Sequence, residues 1–124
     1  MKLRVRGDSL RLRLTRSEVD AIGAGHRVSE TLHLPDGSAL SYTLVAGPSN
    51  NVQMLRESTL VDIVVEIIAS QAHSWADSEQ VGYSGETPLQ IGAVSVLIEK
   101  DFTCITPRVG EEESDTFPNP QAVG

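Results

Sequence analysis

The sequence predicts an α+β fold, predominantly antiparallel β with two short helices, and three observations predict it. Two stretches near the start alternate apolar and charged residues, which is typical of half-buried strands. A helical segment follows the second stretch, and a similar one follows the residues around position 65. The third observation is an internal repeat, because the order strand, strand, helix, strand, strand is predicted twice.

The repeat is visible when the chain is shifted along itself by 53 positions. Three alternating apolar residues then coincide with three others: Leu10, Leu12 and Leu14 fall on Ile63, Val65 and Ile67. We therefore expect a single domain over residues 1–124. It would contain a first pseudo-symmetric β-β-α-β-β unit at about 1–47, a second at about 52–102, and a C-terminal extension at 103–124.

The first unit begins with strands predicted at 2–6 and 10–14, joined by a turn at Gly7 and Asp8. Thr15 and Glu18 have the spacing of a capping box, which predicts the start of a helix. That helix must end near Gly23, since glycine suits the C-terminal position of a helix. Strands at about 27–34 and 38–46 follow around a turn at 35–37.

The second unit is predicted to contain strands at 52–57, 59–67, 80–84 and 93–101, with a helix at about 69–77. Closing a sheet removes its exposed edges, so we expect a strongly curved sheet or a closed barrel. A two-layer α+β sandwich is the alternative arrangement.

Composition limits the classes of function. The longest purely apolar run has three residues, too few for a membrane-spanning helix, and a single cysteine excludes an internal disulfide. We therefore expect a cytoplasmic protein that does not interact with membranes. The three histidines are scattered without the spacing of a zinc site, so no metal and no cofactor are predicted. Aromatic residues make up only 4% of the chain, which disfavours nucleic acid as a partner.

Charge is distributed unevenly along a chain whose net charge is −7. Seven of its ten cations lie in the first 27 residues, and fourteen of its seventeen acids lie after them. We name the predicted strands 2–6 and 10–14 the basic hairpin. A small anionic ligand is the predicted partner, because guanidinium groups bind phosphate and carboxylate in bidentate geometry. The candidate ligand-binding residues are Lys2, Arg4, Arg6, Arg11, Arg13 and Arg108.

A simpler interpretation treats these cations as a solvated outer face. Acids on neighbouring strands would then neutralise them, and Glu30, Glu66 and Glu99 are candidates for that role. The sequence alone leaves both interpretations open.

The extension carries a second feature, the acidic run at 111–115, which is followed by Phe117. This segment is expected to dock either on the basic hairpin or on a partner. The leading hypothesis is a non-enzymatic binding module whose basic hairpin receives an anionic ligand or this acidic run. One alternative is a small hydrolase or transferase acting on a phosphorylated or carboxylated substrate, with Arg11, Arg13 and Arg108 as clamps and Cys104 as nucleophile. Another is a structural homo-oligomer whose extension docks on a neighbour.

Three stretches resemble a family of small uncharacterised bacterial proteins. They are the opening Lys-Leu-Arg-Val-Arg-Gly-Asp-Ser-Leu-Arg-Leu-Arg-Leu-Thr-Arg-Ser-Glu-Val, the segment Glu-Lys-Asp-Phe-Thr-Cys-Ile-Thr-Pro-Arg at 99–108 and the Phe-Pro-Asn-Pro ending at 117–120. The resemblance covers nearly the whole chain and implies a free-standing bacterial cytoplasmic domain. It implies no activity.

Overall fold

The computed structural model describes residues 1–102. Within them the chain forms eight strands and two helices. The first half contains β1 (Lys2–Arg6), β2 (Ser9–Leu14), α1 (Arg16–Gly23), β3 (Val28–His33) and β4 (Ala39–Gly47). The second half contains β5 (Asn51–Glu57), β6 (Leu60–Ile68), α2 (Ala69–Ala76), β7 (Leu89–Ile91) and β8 (Val94–Lys100). The predicted α+β class and the two predicted helices are confirmed.

The capping box predicted at the start of α1 is present. The Thr15 hydroxyl accepts a hydrogen bond from the Glu18 amide at 3.4 Å, and the Glu18 carboxylate accepts one from the Thr15 amide at 2.8 Å. These two bonds satisfy amides that the first helical turn leaves without partners. Helix α2 has no side-chain cap at its start, where Ile68 occupies the N-cap position.

The two helices pack against each other through small residues. A Cβ atom at Gly23 would lie 2.5 Å from the Cβ of Ala76, so only glycine allows this approach without a shift of one helix. The His73 ring nitrogen Nδ1 also lies 3.3 Å from the Gly23 carbonyl oxygen. The contact between α1 and α2 therefore joins the two halves of the chain.

The strands form two four-stranded sheets. Sheet A has the order β1-β2-β8-β7, and sheet B has the order β3-β4-β6-β5. Each sheet contains one antiparallel hairpin from each half of the chain, and a parallel pair joins the two hairpins. The parallel pairs are β2 with β8 and β4 with β6. Each sheet is therefore completed by both halves of the chain.

One hydrophobic core is shared by both sheets and both helices. Alternate residues of the central strands point into it, as the period of two predicts. Leu14, Leu44, Ile67, Val96 and Ile98 are all 0% exposed. The helices add Val19, Ile22, Ala72 and Trp75 to the same cluster. This core fixes which face of each sheet is turned outward.

Two details of the predicted architecture differ from the structure. The described residues form two separate sheets and no closed barrel. The strand predicted at 80–84 is also wrong, since only an isolated bridge pairs Gly82 with Glu99. The chain turns directly after this bridge: Gly85 donates to the Gly82 carbonyl at 3.0 Å and has φ +82°, a value that favours glycine. The pairing with the edge of β8 is made by β7 instead.

No helix in the described part of the chain is long and apolar enough to cross a membrane.

Candidate anion-binding face

The basic hairpin forms as predicted and places its five cations on one surface. Strands β1 and β2 pair antiparallel, with Lys2 opposite Arg13 and Arg4 opposite Arg11. Directly opposed residues of an antiparallel pair lie on the same face, and Arg6 follows two residues after Arg4. The apolar residues of both strands occupy the opposite face, and all of them except Val5 contact the core. We name the outward surface, consisting of Lys2, Arg4, Arg6, Arg11 and Arg13, the cationic face.

A tight turn sets the register of this hairpin. Gly7 has φ +55°, a conformation that glycine adopts without the steric cost of a Cβ atom. The neighbouring Asp8 carbonyl accepts a hydrogen bond from the Ser95 amide at 2.9 Å, which ties the turn to β8. The hairpin is therefore fixed to the second half of the chain at its tip as well as along β2.

Glu99 is the acid that lies beside the cationic face. The parallel register of β2 and β8 places Glu99 next to Arg13, and its Oε1 atom accepts from Arg11 Nε at 2.8 Å and Arg13 Nε at 3.2 Å. A further contact joins Arg11 Nη2 to the same oxygen at 2.6 Å. The Glu99 side chain is only 16% exposed, against 32% for Arg11 and 41% for Arg13. One carboxylate thus holds two guanidinium groups in fixed positions.

A second acid lies at one corner of the face. The Lys2 ammonium is 3.3 Å from the Asp101 carboxylate, and the Asp101 amide donates to the Leu14 carbonyl at 2.8 Å. Lys2, Arg4 and Arg6 are exposed, and they belong to β1, an edge strand of sheet A. The described part of the face therefore carries five cations and two carboxylates, with the carboxylates at the Arg13 end.

Of the acids suggested as neutralising partners, only Glu99 takes that role among the described residues. Glu30 binds the N-terminal ammonium instead, and Glu66 lies on sheet B, where it accepts from the Ser49 amide at 3.2 Å. The interpretation of a neutralised outer face therefore accounts for Arg11 and Arg13 through their contacts with Glu99.

The cationic face lies outside two cavities that the described residues form. One cavity of about 590 Å³ lies beside α1, between residues such as Val19, Ala76 and Phe102. Another of about 310 Å³ lies between the β1–β2 turn and β5. Neither is lined by a residue of the cationic face. The exposed cations of β1 can therefore contact an extended anion without entering either of these cavities.

Two residues proposed for chemistry, Arg108 and Cys104, lie outside the described residues. Within residues 1–102 no three His, Cys, Asp or Glu side chains come together as ligands for a metal ion.

Sequence reasoning missed the contact that fixes the start of β1. Met1 is 9% exposed, and its ammonium donates to Glu18 at 2.6 Å and to Glu30 at 3.0 Å. Tyr42 donates from its hydroxyl to the Met1 carbonyl at 3.5 Å. The capping box had identified Glu18 as a helix residue, but no local pattern relates it to a residue 17 positions earlier.

The charges of this contact change the acidity of both partners. Burial is the largest single influence on the ammonium and lowers its pKa, but hydrogen bonds to Glu18 and Glu30 and their charges raise the pKa above 8.0 overall. For Glu18, burial is again the largest influence and raises the pKa. The hydrogen bonds from the ammonium and from Thr15 outweigh it, so the pKa lies below its ordinary 4.5. This ion pair anchors Met1, which directly precedes Lys2 of the cationic face.

The comparisons with known proteins identify a family and no activity. A family model matches residues 1–121, nearly the whole chain. The chain belongs to DUF7009. This is a family of unknown function. No curated protein and no solved structure matches the chain significantly. Membership in DUF7009 agrees with the expected resemblance to an uncharacterised family, and its match includes most of the segment after residue 102.

Proposed function

We propose that this DUF7009 protein is a non-enzymatic binding module and that its cationic face binds an anionic ligand. The ligand would carry phosphate or carboxylate groups spaced along its length. Arg4, Arg6, Arg11 and Arg13 would contact it directly, with Lys2 at one end of the face.

The observation that carries this proposal is the opposition of like charges in the hairpin. Arg4 lies opposite Arg11, and Lys2 lies opposite Arg13. Like charges directly opposite each other destabilise a sheet, so this arrangement favours carboxylates or other anions beside it, as Glu99 already lies beside Arg11 and Arg13. An anionic ligand would act in the same way, because it would neutralise the repulsion when it binds.

Glu99 supports the proposal through geometry. A carboxylate that holds Arg11 and Arg13 reduces the rotamers available to them before a ligand arrives. Fixing side chains in advance lowers the entropic cost of binding. The contact between Arg13 and Glu99 is made through Nε and does not use the Nη atoms of Arg13.

The shape of the face favours binding over catalysis. Catalysis of group transfer requires reacting atoms held in a site from which water is excluded. The cationic face lines neither of the two cavities, and three of its five side chains are exposed. Its donors instead repeat along β1 at alternate residues, about 6.8 Å apart. This spacing suits an extended polyanion.

We also propose that the two halves are pseudo-symmetric units of a single cytoplasmic domain. The element order β-β-α-β-β occurs in each half, and Leu12 and Val65, 53 positions apart, are both buried. Arg11 and Arg13 correspond to Val64 and Glu66 under this relation. The cations would then be an addition to the shared framework.

A titration observed by NMR tests the binding proposal. Inorganic tripolyphosphate is added to the full chain at low salt, and amide shifts are recorded. Shifts concentrated in β1, β2 and β8 that disappear at high salt support the proposal, since screening weakens contacts between exposed charges. Shifts concentrated at Arg27, Arg56 or elsewhere, or no shifts, contradict it.

A further inference from the structure

The position at which the described chain ends relates the C-terminal extension to the cationic face. Asp101 contacts Lys2 at 3.3 Å, so the chain leaves sheet A at one corner of this face. Eight residues, 103–110, separate Phe102 from Glu111. An extended chain covers at most about 3.6 Å per residue, so eight residues reach up to about 29 Å. Strand β1 has five residues and is about 17 Å long, so the acidic run can reach every cation on it.

The charges of the acidic run match those of β1 in spacing as well as in sign. Within residues 111–115 the acids are Glu111, Glu112, Glu113 and Asp115. In an extended segment, positions 111, 113 and 115 point to the same side at intervals of about 6.8 Å. Lys2, Arg4 and Arg6 have the same intervals on β1. Three carboxylates can therefore face three cations in one register.

Strand β1 also offers backbone groups to such a segment. It is an edge of sheet A, and within residues 1–102 no strand pairs with its side away from β2. An unpaired edge presents amides and carbonyls that can bind an added strand. Opposite charges directly across a strand pair stabilise the pairing, as like charges destabilise it. The β1 edge is thus complementary to the acidic run in both backbone and side chains.

We infer that the partner class of the cationic face is an extended acidic peptide and that residues 111–115 of the same chain bind there, along β1, in competition with external anions. The inference rests on the proposed function. Because a tether of this length gives an effective concentration in the millimolar range, the acidic run would weaken the binding of an added acidic peptide.

The test compares three full-length proteins: the unmodified chain, the triple variant E111Q/E113Q/D115N, and the control D36N/E57Q/E86Q. The control removes the same charge from three exposed acids that do not belong to the cationic face. A hexaglutamate peptide is the probe, and calorimetry at low salt measures its affinity. We expect the triple variant to bind the peptide about tenfold more tightly than the unmodified chain, and the control to change the affinity less than twofold.

A second measurement reports the contact itself. Hydrogen exchange of the β1 amides should be slower in the unmodified chain than in the triple variant, independently of protein concentration. Equal peptide affinities in the triple variant and the control overturn the inference, as does protection that increases with protein concentration, which would indicate binding between copies. If neither tripolyphosphate nor the peptide binds to any of the three proteins, the proposed function itself fails. If they bind with equal affinity to all three, only the inference fails.

Discussion

The hairpins β1–β2 and β5–β6 have equivalent pairing in sheets A and B, but the side chains on the faces turned away from the core differ in charge. Each pairs antiparallel internally and attaches through its second strand, in parallel, to a strand of the other half of the chain. Their inner faces are apolar and contribute to the same core. The other faces differ, since the partly exposed Arg11 and Arg13 of β2 correspond to Val64 of β6, which is buried, and to Glu66, which is partly exposed. The apolar residues that both hairpins share are therefore the ones that folding requires, whereas the cations of β2 are not required for this pairing.

The largest expected effects on stability come from the core-facing residues of the two hairpins, which we expect to contribute equally. Leu14 and Ile67 are both 0% exposed, so replacement of either by alanine leaves a cavity. We expect Leu14→Ala and Ile67→Ala each to lower the free energy of unfolding by about 2–5 kcal/mol. Urea denaturation measures it. Val5→Ala is the control, because Val5 is 59% exposed and its truncation should cost little. A cost near zero at either buried position would break the equivalence.

The starts of the two hairpins differ in how they are held. Met1 uses an ammonium between two carboxylates, whereas Asn50, before β5, uses an amide whose oxygen accepts from the Ile68 amide at 3.2 Å and the Tyr83 hydroxyl at 2.8 Å. Burial, the largest influence, raises the pKa of Tyr83 above 10.0, so the second anchor does not titrate near neutral pH. Of these two anchors, only the one at Met1 should therefore make stability depend on pH near neutrality.

The sign of that dependence follows from the two pKa shifts. The raised pKa of the ammonium gives stability that is complete below pH 8.0 and is lost as the pH rises through the folded value. The lowered pKa of Glu18 gives stability that is complete above pH 4.5 and is lost as the pH falls through its folded value. The ion pair should therefore contribute most between about pH 5 and pH 8.

Glu18→Gln isolates this contribution, because glutamine at the same position preserves the capping box. We expect a loss of about 2 kcal/mol at pH 6.5 and a smaller loss outside the window. Thermal unfolding between pH 4 and pH 10 checks it. A variant whose deficit is the same at every pH would show that the charge of Glu18 is not what holds Met1. Glu57→Gln, which removes an exposed acid from β5, is the control and should show no deficit.

The smallest expected effect concerns the two turns. Gly7 in β1–β2 and Ser58 in β5–β6 both have positive φ, at 55° and 56°. A residue with a Cβ atom is strained in this conformation, and glycine is not. We expect Ser58→Gly to stabilise the protein by about 0.5 kcal/mol and Gly7→Ser to destabilise it by about 1 kcal/mol. Chemical denaturation of both variants measures the difference, and a loss of stability in Ser58→Gly would contradict the argument.

Local sequence patterns were sufficient for both helices and for all the strands except β7. Alternation over residues 2–6 and 10–14 and the capping box at Thr15 predicted β1, β2 and α1 closely. The partners of the strands were not predictable, because β2 pairs with β8 more than 80 residues away and no short-range pattern encodes that choice. The barrel expectation and the strand at 80–84 depended on such partners. At 80–84, Gly82 and Gly85 form a turn after a single bridge.

For the candidate site too, local patterns predicted the cations, but they did not predict the acids that contact them. A period of two was enough to place five cations on one face once β1 and β2 paired. Glu99 could be suggested as a neighbour but not chosen over Glu30 or Glu66, since the choice depends on the parallel register with β8. The anchor at Met1 could not be predicted, because it joins residues on β1, α1 and β3 through tertiary contacts.

The central claim is that the cations of β1 bind anions, and a matched pair of charge reversals tests it most directly. Arg4→Glu/Arg6→Glu changes the cationic face, and Arg27→Glu/Arg56→Glu changes the net charge equally at exposed positions away from it. Calorimetry measures the affinity of each for tripolyphosphate at low salt. We expect the affinity to fall more than tenfold in the first variant, because each reversed site replaces attraction by repulsion, and less than about threefold in the second. Equal losses in both variants would show that only net charge matters and that the cations of β1 form no binding site.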